Sequence, residues 1–178
     1  MGHSVRMFVG PKAALRRYKD LVPTLKAFAL VPAAGLDALP ISQAEHGQLQ
    51  ARYGTGEWLE LPNMHDDATP LMLTSTDITF AVRASQGTAL AYLQTDFEGG
   101  AGSQIAIVWL DGALALRPVA MHTTEGRAKK LWPINAALRL MGVVAAYTNP
   151  DDDEFTAFGL TRYRSNDEVL ARAIPVAL

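Results

Sequence analysis

The chain has 178 residues, 49% of them hydrophobic and 19% charged, which suits one domain with a sizeable core and excludes a disordered polyelectrolyte. It contains no cysteine, so disulfides, thiolate metal sites and a cysteine nucleophile are all excluded. The net charge of −2 is unevenly spread: residues 1–26 hold six basic side chains against Asp20 alone, and residues 37–111 hold ten acids against Arg52 and Arg83. Such an acidic middle argues against a general nucleic-acid binder, which needs an unbroken basic footprint.

Met1 to Arg6 offers no apolar stretch of signal-peptide length, and Gly2-His3 has the look of a tag remnant. The uncharged stretch Ala27–Leu36 is broken by Pro32 and is too short to span a bilayer. A cytoplasmic protein without membrane contact is the expectation.

Val5, Met7 and Val9 alternate as in a strand. Gly10-Pro11 then opens a helix with Ala14, Leu15, Tyr18, Leu21 and Val22 on its apolar stripe, ended by Pro23. Lys26–Val31 follows as a second strand, giving a β-α-β start. Ser42-Gln43-Ala44-Glu45 is a capping box that predicts a helix ending before Gly54. Glu57–Leu61 and the polar run Asn63–Asp67 read as irregular surface. Thr74 to Asp77 caps a further helix whose Ile78, Ala81, Val82 and Ser85 should be buried, with Gly87 as its stop.

The clearest passage is a β-meander. Ala89–Phe97 is a strand, and Glu98 to Gly102 is a glycine-rich reversal able to carry a bulge. Ile105–Leu110 is continuously apolar, as in a strand covered on both faces. Asp111-Gly112 is a type I′ turn signal, and Ala113–Val119 completes the meander with Pro118 suited to an edge. After a basic loop, His122–Lys130, Pro133 starts a helix with Ile134, Ala137, Leu138 and Met141 at helical spacing, and Gly142 ends it. Ser165-Asn166-Asp167-Glu168 is another capping box, opening a helix to Ala173. The sum is a single α+β domain over residues 1–178, with a central, mainly antiparallel sheet built around the meander at 89–119 and flanked by helices.

No motif carries sharp chemistry. The loop Gly99 to Ser103 leads into a strand, whereas a phosphate loop leads into a helix N-terminus. Asp151 to Glu154 lacks the alternation of a calcium loop, and a helix dipole accounts for acids placed there. No metal site and no cofactor are expected. His46, His65 and His122 stand without a nucleophile elbow or a zinc motif. Trp58, rimmed by Glu57 and Glu60 beside His65, Asp66 and Asp67, has the make-up of an interface anchor, and equally that of a tryptophan covering the edge of the core.

Three passages carry a resemblance: Leu93 to Gln104 running into Val108-Trp109, Pro133 to Val143, and Asp153-Glu154-Phe155 followed by Gly159-Leu160 and Arg162-Tyr163-Arg164. Together they resemble small bacterial immunity proteins encoded beside polymorphic toxins, over roughly residues 75–170. Glu98 stands where a second aromatic is expected, and the basic loop Thr123–Lys130 is longer than usual. The resemblance implies a non-catalytic protein whose partner is a toxin domain encoded by a neighbouring gene. An acidic surface suited to a basic toxin site is expected on Glu57, Trp58, Glu60, His65, Asp66 and Asp67, with Asp96 and Glu98 at the hairpin mouth. The alternatives are a small hydrolase that reverses a toxin's modification through His65 or His122 with nearby carboxylates, and a complex subunit or homodimer.

Overall fold

The computed structural model describes residues 2–31, 35–54, 56–57, 71–98, 101–122, 128–149 and 152–178. In its first strand, β1 (His3–Gly10), Val5, Met7 and Val9 face one core and Phe8 the other, all fully buried. Such a strand needs neighbours on both edges and cover on both faces. Helix α1 (Lys12–Leu21) follows with Ala14, Leu15 and Tyr18 buried, as the periodicity predicts. Strand β2 (Ala27–Ala29) is antiparallel to β3 (Asp37–Pro40), which is itself antiparallel to β1. The expected β-α-β start is therefore split, with β3 inserted between β1 and β2.

Helix α2 (Gln43–Tyr53) has both capping-box bonds of Ser42 and Glu45, and Gly54 is its C-cap. Helix α3 (Ser75–Ala84) has the same box between Thr74 and Asp77. Its buried stripe is Asp77, Phe80, Ala81 and Ala84, so the face is turned relative to expectation, with Ile78 and Val82 only partly covered.

The meander is β4 (Ala89–Glu98), β5 (Ala101–Leu110) and β6 (Ala113–His122). Asp111 and Gly112 both take positive φ, +49° and +73°, as a type I′ turn requires. The pairing of β4 with β5 stays in register through Glu98 and Ala101, with no bulge among these described pairs. A bulge lies instead between β5 and β6, around Ala106 to Trp109. Helix α4 (Pro133–Leu140) begins on its proline. A short α5 (Glu154–Ala157), then α6 (Asn166–Arg172) and β7 (Ile174–Val176) complete the described elements. At α6, Ser165 Oγ accepts from Glu168 N, but the Glu168 carboxylate takes the N–H of Arg164, so the expected box is only half formed.

The seven strands lie in the order β6-β5-β4-β1-β3-β2-β7, all antiparallel, so the meander forms one side of the sheet and β1 its middle. Residues of α1, α2 and α3 pack on one face, where Phe8 meets Tyr18, Tyr92 and Trp109 at ring distances of 4.2, 5.4 and 6.4 Å. Residues of α4, α6 and the turn at Phe158–Leu160 pack on the other. Both edge strands carry a proline, Pro118 and Pro175, which removes a donor from each open edge. No helix among the described residues is long and apolar enough to cross a membrane.

A Cβ on Gly102 would run into the Asp96 carbonyl and reach 2.5 Å from the Phe97 Cα, whereas one on Gly47, in α2, meets nothing within 4 Å. Gly102→Ala should lower stability by about 1–3 kcal/mol. Gly47→Ala should raise it by about 0.5–1 kcal/mol, and urea unfolding midpoints distinguish the two.

Candidate functional site

Where β1 begins and β4 ends, the sheet and the C-terminal elements leave a cleft of about 650 Å³. Residues of one row share a face of the sheet, so His3, its partner Phe97, and Gln104 opposite Thr95 all lie on the α4 side, the same side as Val5. They supply one wall; Trp132, Asp153, Phe155 and Thr156 supply the other, and Lys129 and Arg164 stand exposed at the rim.

The far wall is assembled on Asn135, which is 1% exposed. Its Nδ2 donates to Lys129 O at 2.8 Å and to Asp153 Oδ2 at 3.2 Å, and its Oδ1 accepts from Phe155 N at 2.8 Å. One amide thus ties α4 to the turn before it and to α5. Asp153 also caps α5 by accepting from Thr156 N at 2.9 Å. Gln104 reaches from β5 to the first turn of α4, where its Oε1 accepts from Ile134 N at 3.4 Å.

His3 is held at both ring nitrogens, by Thr95 Oγ1 at 2.7 Å and Leu160 O at 3.2 Å. A carbonyl only accepts, so Nε2 carries the proton and Nδ1 accepts from the threonine hydroxyl. That hydroxyl in turn accepts from Val5 N. Burial lowers the His3 pKa below its ordinary 6.5, opposed by the bond to Leu160, so the ring is neutral at pH 7. This residue is the first of β1.

A second depression of about 380 Å³ adjoins the first through Lys129 and Asp153 and is lined by Tyr147, Asn149 and Asp152. Beside it Glu154, only 1% exposed, accepts from Arg139 Nε at 2.8 Å and from the Tyr147 hydroxyl at 2.6 and 2.7 Å. Burial pushes the Glu154 carboxyl up, but the bonds from Arg139 and Tyr147 more than offset it and leave the pKa below the usual glutamate value. Tyr147 holds φ +52°, a left-handed conformation rare for an aromatic residue, while its side chain makes these contacts. Glu154 stands in the first turn of α5, where the dipole reading expects an acid, and is in addition a buried ion-pair partner of Arg139. No group of three or more metal-ligating His, Cys, Asp or Glu side chains occurs among the described residues.

Of the expected contact residues, Glu57, Asp96 and Glu98 are exposed. Asp96 and Glu98 follow Tyr92 and Gln94 on the β4 face that α1 to α3 cover, the opposite side from the cleft. Glu57 meets the start of α3, its carbonyl accepting from Ser75 N at 2.9 Å. Trp58, Glu60, His65, Asp66 and Asp67 lie outside the described residues, as does most of the basic loop. His122 ends β6. His46 is buried, its Nε2 3.3 Å from Asp77 Oδ2 in a network with Tyr18 and Thr74, which locks α1, α2 and α3 together. Sequence patterning missed His3, Gln104 and Asn135. The one signal available for the last two was a lone amide, inside an apolar run at Asn135 and at the start of one at Gln104.

The architecture is that of an antiparallel α+β domain with helices on both faces of its sheet. Comparison of the chain with protein families, with curated proteins and with solved structures finds no match.

Replacing Asn135 by alanine removes three hydrogen bonds at once, one of them buried and two part-buried, so it should cost at least about 2 kcal/mol in urea unfolding. Stability should also fall as pH drops below about 6.5, because the unfolded chain then binds a proton that folded His3 refuses. His3→Gln should flatten the curve between neutrality and the carboxylate range. A further loss as pH falls through the folded Glu154 pKa should persist in that variant.

Proposed function

We propose that this domain is a non-catalytic immunity protein of the bacterial cytoplasm, which binds a toxin encoded by a neighbouring gene and covers its active site with an acidic surface. The observation that carries the proposal is the pairing of Asp96 and Glu98, both exposed on one face of β4, with exposed Glu57 in the same helical layer. Toxins that act on nucleic acids or nucleotides have basic sites, and carboxylates on a rigid strand both steer association and imitate the anionic ligand. The other expected contact residues, Trp58, Glu60, His65, Asp66 and Asp67, add three more acids in sequence but lie outside the described residues. The resemblance over residues 75–170 supports the class of partner, and the acidity supports its charge.

A hydrolytic role is less well supported. Of the two histidines that reading names, His122 ends β6 and does not line the cleft, and His65 lies outside the described residues. His3, the histidine that does line the cleft, has both ring nitrogens hydrogen-bonded.

The test is co-purification with the product of the adjacent gene, and rescue of growth when the two are co-expressed. Glu57→Lys, Asp96→Lys and Glu98→Lys together should slow association by about tenfold or more at low salt, with a smaller effect at high salt. No complex with the wild type, and no rescue, would remove the proposal.

A further inference from the structure

The cleft beside His3 belongs to the other side of the sheet, and its chemistry is not that of the acidic face. Gln104 is 2% exposed and lines the cleft floor. Ile134 N–H can only donate, so the atom facing it is Oε1 and the side-chain NH2 is the free end. Among the described residues that NH2 has no acceptor. Asp153, 7% exposed, adds carboxylate oxygens with lone pairs beyond the bonds from Asn135 and Thr156. Both groups are bonded to the first turn of α4, at Ile134 and Asn135, so a donor and an acceptor line the same cleft.

We propose that the cleft binds a nucleoside monophosphate, its base edge on Gln104 and Asp153, its ring against Trp132 and Phe155, and its phosphate at Lys129 and Arg164. A ligand edge with an acceptor beside a donor answers the floor, and every nucleobase has one. Half-buried Phe97, Trp132 and Phe155 offer flat faces on which any base stacks. The exposed cations suit the phosphate. An apolar ligand would leave the amide and carboxylate unsatisfied, and a bare inorganic anion would be repelled by Asp153. The volume of about 650 Å³ falls within the range of sites for molecules of this size.

The test is titration of the isotope-labelled full chain with GMP, AMP, CMP and UMP, and separately with inorganic phosphate, following the Trp132 indole and Gln104 side-chain signals by NMR. At least one nucleotide should saturate with a Kd below about 1 mM, and phosphate alone should not. Gln104→Glu keeps an acceptor for Ile134, removes the donor and adds a negative charge to the cleft that holds Asp153, so affinity should fall by about tenfold or more. Arg164 makes its described hydrogen bonds through its backbone, so Arg164→Gln should fold normally, weaken binding several-fold and reduce its salt dependence. If Gln104→Glu unfolds, Arg164→Gln decides alone. Glu98→Lys, on the acidic face, should leave nucleotide affinity unchanged, which separates this site from toxin binding. No response of Trp132 to any of the four nucleotides, an equal response to phosphate alone, or wild-type affinity in both variants overturns the proposal.

Discussion

Strand β1 is the constraint around which the chain is arranged. Its side chains from Met7 to Val9 are buried on both faces, and its two edges are paired along different lengths. β4 follows it from His3 to Val9, while β3 covers only Met7 to Gly10. The exposed remainder of that edge is closed by the C-terminal segment. Ser4 N donates to Arg164 O at 2.6 Å, and the Asn166 side chain bonds both backbone groups of Arg6 and also Ile41 O. Residues more than 120 positions apart thus complete one strand's hydrogen bonding. Buried backbone groups leave no alternative, since each must find a partner.

That arrangement explains why the cleft forms where it does. His3 opens β1, and its ring bridges β4, at Thr95, to the turn at Leu160. The same C-terminal run that closes the β1 edge supplies Arg164 at the rim. On the other side, the amide of Asn135 fixes α5, so Asp153 and Phe155 are presented by a satisfied hydrogen-bond hub rather than by a free loop. Polar groups of this kind keep a site's shape because breaking one contact strands the others.

Much of the fold was legible in the sequence because the signals were local. Capping boxes at Ser42 and Thr74, the Asp111-Gly112 turn and the proline before Ile134 each act within four residues, and each marks an observed boundary. β3 and β7 were not legible. Asp37-Ala38-Leu39-Pro40 and Ile174-Pro175-Val176 have little intrinsic strand character and owe their state to partners far along the chain. The central place of β1 was hidden for the same reason. Within the cleft, Gln104 and Asn135 are single amides whose roles depend on elements that meet only after folding. The acidic residues of the proposed contact surface were legible as charge, and Asp96 and Glu98 fall together because strand alternation is a local rule.

If β1 is the shared element of both layers, its amides open only when the whole domain does. Native-state hydrogen exchange measures this directly. The amides of Met7, Phe8 and Val9 should exchange with an opening free energy equal to that of global urea unfolding, and together with the central amides of β4. Exchange of β1 through a lower-energy opening, while the β4–β6 meander stays protected, would contradict the account.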